Sequence, residues 1–346
     1  MEGFGVAVVG VGHIAQTVHL PLLTRLPGVR VVAVYDRVLS KARFVAERFG
    51  IPYVASRLDE LWQLDGVDIV DICTTTDAHP EIACAALEHG KHAFVEKPLA
   101  RTLAEAQMVS QIAARSRGQL MVGMNHRFRP DVMLLRSYVG RGELGRIYYI
   151  KAGWLQPRQK ERRWLTRTDI SGGGVLIDLG IVLIDLVLWM YDFAPVRSVH
   201  AALFRQQTRV VEDLAVATLY FASGSIATIE CSWSLMRPEN LYYCNLFGTR
   251  GSGYINPFRV VRQTEGGEFL TIHAEGQACL PSAQQYTQSY AAEWQYFLNM
   301  LRGHVPPLST AQEAVHRMRV LEALYRSGEE QREVLLSAEA SAEPTS

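Results

Sequence analysis

The stretch Gly5 to Asp36, GVAVVGVGHIAQTVHLPLLTRLPGVRVVAVYD, constrains this chain more than any other. It opens on a short apolar run, Val6-Ala7-Val8-Val9, too brief and too β-branched for a helix. Gly10-Val11-Gly12-His13-Ile14-Ala15 follows, a G-x-G-x-x-A pattern, and a second buried-strand run, Val31 to Tyr35, ends on Asp36. Gly10 permits a tight strand-to-helix turn. Gly12 has no Cβ, so a pyrophosphate can reach backbone N–H groups at a helix N-terminus, where the dipole favours anions. Ala15 is small enough for the helix to pack on the strand. Asp36 falls where a carboxylate would accept hydrogen bonds from a ribose diol. Strand, turn, helix, strand and terminal acid in this order predict a dinucleotide site over a plain βαβ unit. Asp36 would face a 2′-phosphate with a carboxylate, so NAD is expected and NADP is the less favoured cofactor. Arg37 beside it is the residue that could reverse that choice.

The strand–helix rhythm continues. Lys41 to Phe49 reads as a helix stopped by Gly50, and Ser56-Arg57-Leu58-Asp59 as a capping-box-like helix start. Asp68 to Cys73, His92 to Val95 and Leu120 to Gly123 are further buried-strand patterns, each after a helical segment. Such alternation predicts a doubly wound parallel sheet, an α/β domain over residues 1–125. Ligands lie outside the carboxyl ends of such strands. The residues to watch are therefore Gly10 to Ile14, Asp36, Thr74 to His79, Glu96-Lys97-Pro98 and Asn125.

After Asn125 the pattern changes. Ile147 to Trp154, Val196 to Phe204, Leu214 to Phe221, Ser225 to Trp233, Leu241 to Phe247 and Phe269 to His273 read as longer strands. Ser223-Gly224 is expected to join one pair, and Thr249 to Gly253 to turn another. One strong helix, Gly174 to Tyr191, lies among them, and Glu293 to Leu301 and Gln312 to Ser327 read as terminal helices. This predicts an α+β domain on a mostly antiparallel sheet, residues 126–336. Residues 337–346 are expected to be a disordered tail.

Formal net charge is zero, so nothing points to nucleic acid or an acidic membrane surface. The greasiest stretch, Val175 to Met190, carries Asp178 and Asp185, a poor composition for a membrane span. The start of the chain has Glu2 and no basic region, unlike a signal peptide. Five cysteines without a C-x-x-C fit reduced thiols in a cytoplasm. Ten histidines form no tight ligand motif, so no metal site is expected.

Two groupings carry chemistry. Pro98 restricts Lys97 to extended backbone on the ligand side of the sheet. Lys97 is thus either a solvated turn residue or a cation beside the nicotinamide, able to bind a substrate oxygen and exchange a proton. Gly172-Gly173-Gly174 leads into a helix where Asp178, Val182 and Asp185 are spaced i, i+4, i+7 and so share one face. That face is either an exposed polar stripe or a site.

These pieces together resemble the Gfo/Idh/MocA oxidoreductases. The resemblance rests on GVGHIA, YDR, TTTDAH with His79, GKHAFVEKP, VGMNHRF, RRW with SGGGVLIDLG, EDLAVATLYFASGSIATIECSW and GTRGSGYI, which span nearly the whole chain. It implies a Rossmann domain followed by an open-faced sheet domain, with NAD contacted by Gly10, Gly12, His13, Ile14, Asp36, Arg37, Thr74, Thr75, His79, Glu96, Lys97 and Asn125. It implies a dehydrogenase of sugars, cyclitols or related polyols, and a homodimer or homotetramer paired through the sheet faces. Lys97 would contact both cofactor and substrate, across a Lys97–Pro98 peptide of cis form. Lys97 and Asp178 are the catalytic candidates. Lys97, His126, Arg127, Trp164, Asp178, Val182 and Asp185 are the substrate candidates, with Trp154 and Arg163 as further possible lining.

One departure matters. The family helix carries a histidine, sometimes a tyrosine, as acid/base where this chain has Val182, which cannot move protons. Lys97 could act as acid/base itself, His126 could supply an imidazole, or the substrate could need no proton transfer. Besides a dehydrogenase, two alternatives stay open: an NAD-binding sensor or assembly partner without turnover, and a redox-neutral lyase, epimerase or hydrolase.

Overall fold

A computed structural model describes residues 3–157, 164–236, 238–264, 266–280 and 282–336. Arg163 and the 337–346 tail lie outside the described residues. The chain divides into two units. The first runs to Asn125 and also takes Asp169–Gly172 and Thr287–Val315, and the second takes the rest of the described chain.

The first unit is built on a six-stranded parallel sheet: β1 (Phe4–Val9), β2 (Val29–Tyr35), β3 (Tyr53–Val54), β4 (Ile69–Ile72), β5 (His92–Glu96) and β6 (Leu120–Gly123). Their order, β3-β2-β1-β4-β5-β6, is that of a doubly wound nucleotide-binding sheet with its reversal beside β1. Strands β1 and β4 are almost wholly buried, which explains their runs of Val and Ile. Helix Leu39–Phe49 ends as expected on Gly50, whose φ of 66° is left-handed. The capping box falls elsewhere than expected. Helix Glu60–Gln63 has no side-chain cap, whereas Thr102 and Glu105 cap helix Leu103–Arg115 reciprocally.

A contiguous boundary at Asn125 is too simple. Helix Ser282–Leu301 brings Trp294 onto Phe94, ring centroids 4.5 Å apart and stacked, with Phe297 edge-on to both. Such aromatic pairs contribute about 0.5–1.5 kcal/mol each beyond the area they bury. A segment far along the chain thus completes the first core.

The second unit carries a nine-stranded sheet: β7 (Ile147–Pro157), β8 (Val196–Phe204), β9 (Leu214–Phe221), β10 (Ile226–Leu235), β11 (Leu241–Gly248), β12 (Gly251–Tyr254), β13 (Arg259–Gln263), β14 (Phe269–His273) and β15 (Val334–Leu335). The order is β14-β13-β12-β11-β7-β10-β9-β8-β15, antiparallel except for β7 with β10. Gly251 to Gly253, expected as turn, begins strand β12. Strands β9 and β11 bury alternate residues, so one sheet face is covered. Its cover includes helix Ile181–Met190, buried throughout and packed on β7 and β10. The stretch Thr168–Met190 is long and apolar enough to cross a membrane, yet 94% of its most apolar window is buried inside the protein, as a core helix is.

Candidate cofactor and active site

Backbone pairing brings the glycine turn, Asp36 and Thr74 together. Gly10 N–H donates to Tyr35 O at 2.8 Å, and Cys73 N–H to Val9 O at 2.8 Å. Gly10 has φ +85°, and a Cβ there would lie 2.8 Å from Thr74. Only glycine fits. At Gly12 an added Cβ would meet nothing within 4 Å, so open space lies over the turn as a dinucleotide requires. His13 and Arg37 are exposed, Ile14, Thr74 and Thr75 half-buried.

Asp36 closes this edge. Its Oδ2 accepts Val11 N–H at 3.0 Å and Lys41 Nζ at 3.0 Å, and its Oδ1 accepts Val38 N–H at 3.0 Å. Burial alone would raise the carboxyl, but the Val38 amide, Lys41 and the Val11 amide outweigh it and hold it below the usual range. A charged acid at the end of β2 fits a ribose diol. Lys41 was not foreseen, and its spacing of five residues inside a helical pattern gave no sign of it.

The loop after β5 carries Lys97, half-buried, and the Lys97–Pro98 peptide is cis, as the resemblance implied. Two residues expected to touch the cofactor brace this loop. Glu96 turns one oxygen to His19 Nε2 at 2.8 Å, while its Oε2 accepts Lys97 N–H at 3.2 Å. His79 lies with Nδ1 2.8 Å from Pro98 O and Nε2 3.2 Å from Thr74 O. Burial pushes the His79 ring down in pKa. Both its nitrogens face backbone carbonyls, so it links the loops after β4 and β5. Asn125 likewise is buried, its amide donating to Ser289 Oγ at 2.9 Å.

In the second unit the helix begins with a π-helical turn, Leu176–Gly180, before Ile181–Met190. Its two acids meet different partners. Asp178 is half-buried and accepts the Trp233 indole N–H at 3.2 Å. Asp185 is 1% exposed, with Arg127 Nε and Nη2 at 2.8 and 2.6 Å and Arg317 Nη1 at 2.7 Å. Arg127 and Asp185, expected at substrate, are bound to each other in this buried ion pair. Val182 is 2% exposed, a core residue. His126 is buried too, Nδ1 2.8 Å from Tyr242 Oη and its ring against Trp154 and Tyr286. Trp154 is half-buried against this ring, whereas Trp164 is exposed.

The glycine run before this helix has a steric cause. A Cβ on Gly173 would lie 2.1 Å from the Tyr325 hydroxyl, and one on Gly174 2.1 Å from Glu212 O. The buried Glu212 carboxylate accepts Gly174 and Leu176 N–H and the Tyr325 hydroxyl, capping the helix start. Burial raises its pKa. Glu212 and Tyr325 went unread because their partners are distant in sequence.

Comparison with known proteins agrees with this arrangement. The family model described as "Oxidoreductase family, NAD-binding Rossmann fold" matches residues 4–124, and the "GFO/IDH/MocA C-terminal domain" matches 132–253. Over 342 residues the chain is 28% identical to D-glucoside 3-dehydrogenase of Escherichia coli (strain K12), covering 94% of this chain and 95% of that one. Over 321 residues it is 27% identical to scyllo-inositol 2-dehydrogenase (NAD(+)) of Bacillus subtilis (strain 168), covering 91% of each. The crystal structure of GenD2 from gentamicin A biosynthesis in complex with NAD superposes with TM-score 0.83 at 26% identity, over 98% of this chain and 97% of that one. With the glycine turn, Asp36 and the Lys97 loop in place on this sheet, the chain belongs to the Gfo/Idh/MocA family of NAD-binding oxidoreductases.

Proposed function

We propose that this protein is an NAD-dependent dehydrogenase acting on a secondary alcohol of a sugar, cyclitol or related polyol derivative. The observation that carries the reading is the half-buried Lys97, braced by Glu96 on the ligand edge of the sheet that also holds the open glycine turn and Asp36. NAD bound there supplies the hydride acceptor. As its neutral amine, Lys97 binds the substrate oxygen and takes the hydroxyl proton, becoming the ammonium, as the carbinol hydrogen leaves as hydride, giving a ketone. Val182 cannot move this proton, so Lys97 does so itself. NAD is favoured over NADP because Asp36 is held charged. The glucoside and scyllo-inositol dehydrogenases among the relatives support the substrate class.

The test is a panel of D-glucosides, sugars and cyclitols with NAD or NADP, read by NADH or NADPH absorbance. Turnover of a panel member, lost in Lys97→Ala, supports the reading. Tight NADH binding with no panel member oxidised overturns it.

Val182 favours a second reading, a redox-neutral enzyme in which the hydride returns to the same molecule. Product formed without net NADH would identify it. Cys73, Cys84, Cys231 and Cys244 are all unbridged, which suits a cytoplasmic protein. Tyr149 stacked on Phe247 and exposed Val216 on the sheet suit pairing into a homodimer or homotetramer, which size-exclusion chromatography with light scattering would test.

A further inference from the structure

His19 closes the π-helical turn Ala15–His19 that follows the glycine turn, and it is fully buried. Both ring nitrogens face carboxylates. Nδ1 lies 3.1 and 3.0 Å from the two oxygens of Asp71, in the middle of apolar strand β4, and Nε2 lies 2.8 Å from Glu96 Oε1 at the end of β5. A neutral imidazole has one N–H and could donate to only one of these groups, and because both partners are carboxylates rather than carbonyls they favour the doubly protonated ring. Burial alone would push the ring down in pKa, but Asp71, with Cys73 beside it, raises it well above the ordinary value. Phe94, Tyr290 and Trp294 wall the ring at 5.9–6.2 Å between centroids, leaving it little room to turn. The other Glu96 oxygen then holds Lys97 N–H at 3.2 Å, and His79 holds Pro98 O on the far side.

We propose that His19 is a positioning residue for Lys97: wedged between Asp71 and Glu96, it fixes the Glu96 carboxylate that fixes the Lys97 backbone. The helix that follows the dinucleotide turn and the loop that bears the lysine then move as one body. A histidine suits this because its two donors point apart from a rigid ring, spanning neighbouring strands as a flexible lysine could not. The inference rests on reading Lys97 as the group that handles substrate, but its test does not depend on finding that substrate.

The chain has only five lysines, Lys41, Lys91, Lys97, Lys151 and Lys160. Reductive methylation with ¹³C keeps their charge and gives a countable set of methyl resonances, with Lys97 assigned by Lys97→Arg. In His19→Gln the Lys97 resonance, free and with NADH, should move while the Lys91 and Lys151 resonances stay. In Glu96→Gln, which keeps an acceptor for Lys97 N–H, it should move less. Where a D-glucoside or scyllo-inositol is turned over, kcat in His19→Gln should fall roughly 10–100-fold, with KM for NAD within about twofold. A Lys97 resonance unmoved in both variants, with only Tm lowered, would overturn the proposal. If His19→Gln does not fold, Asp71→Asn keeps the ring and removes the charge behind it; an unmoved Lys97 resonance there overturns the proposal equally. Should the wild type oxidise none of these probes, the resonance still decides the positioning role, and the failure falls on the dehydrogenase reading alone.

Discussion

Two buried charge clusters, one in each unit, are built as opposites. In the first, a cationic ring sits between two carboxylates, His19 between Asp71 and Glu96. In the second, a carboxylate sits between two guanidinium groups, Asp185 between Arg127 and Arg317. The surplus charge is handled differently. Arg127 lies 5.4 Å over both the Trp189 and Phe193 rings, so aromatic faces take up part of its charge. The surplus carboxylate of the first cluster is Glu96, and its free side goes on to the backbone of Lys97. The cluster walled by aromatic rings holds a core; the other passes its order to a loop. That is why one is read as structure and the other as support for chemistry.

The contrast can be broken by substitution. Lys97→Ala should have the largest effect, a loss of about 10²–10⁴-fold in turnover with Tm unchanged, because the residue stands at a loop end. A large fall in Tm would mean that Lys97 belongs to the core like Asp185. Asp185→Ala should show the reverse, leaving two arginines uncompensated at a cost of about 3–5 kcal/mol. Thermal melting reads this, and NADH affinity below the melt should stay at the wild-type level. A variant as stable as the wild type would mean that the second cluster is not structural.

Titration of His19 sharpens the comparison. Its folded pKa is raised, so its stabilisation is complete below about 6.5, the ordinary value, and is lost as pH rises through the higher folded value. The groups facing it are Asp71, Cys73, Glu96 and Tyr290. The Tm advantage of wild type over His19→Gln should therefore be full in mild acid and shrink on the alkaline side. An advantage constant with pH would mean that the ring is not held charged. Asp185→Ala melts should show no such alkaline trend relative to wild type.

Val182→His should do least for activity. On spacing alone, an imidazole there would lie between two carboxylates, but Asp185 is spent on its arginines and Asp178 is held by Trp233. Enlarging a packed position costs about 1–3 kcal/mol, and less than about tenfold gain in polyol oxidation is expected. A large gain would show that Asp178 alone can orient the ring.

What could be read in advance was local. The G-x-G-x-x-A turn and Asp36 have fixed spacing, and β8, β9 and β14 were bounded correctly because turn residues frame them. The partners of buried charges could not be read. His19 meets Asp71 across 52 residues and Glu96 across 77, and Asp185 meets Arg317 across 132. In sequence each looks like a stray polar residue in an apolar run. The i, i+4, i+7 spacing put Asp178 and Asp185 on one face but could not show their partners, Trp233 for one and two arginines for the other. Strand β12 was missed because Gly251-Ser252-Gly253 carries turn chemistry while lying close against β13, where a Cβ on Gly251 would come 2.6 Å from Val261 O.

The late return of Thr287–Val315 to the first unit has a consequence for biosynthesis. When a ribosome has released Asn125, the nucleotide-binding sheet has all its strands but the Phe94 face still lacks Trp294 and Phe297. At about 5–20 residues per second, that face waits roughly 10–40 s for its cover while strands β7 to β14 of the second sheet are made. The exposed face makes the nascent chain a chaperone client, and a fragment cut at Asn125 should bind an apolar dye that the full-length protein excludes. A fragment that folds and excludes the dye would show that the aromatic cover is dispensable for the sheet.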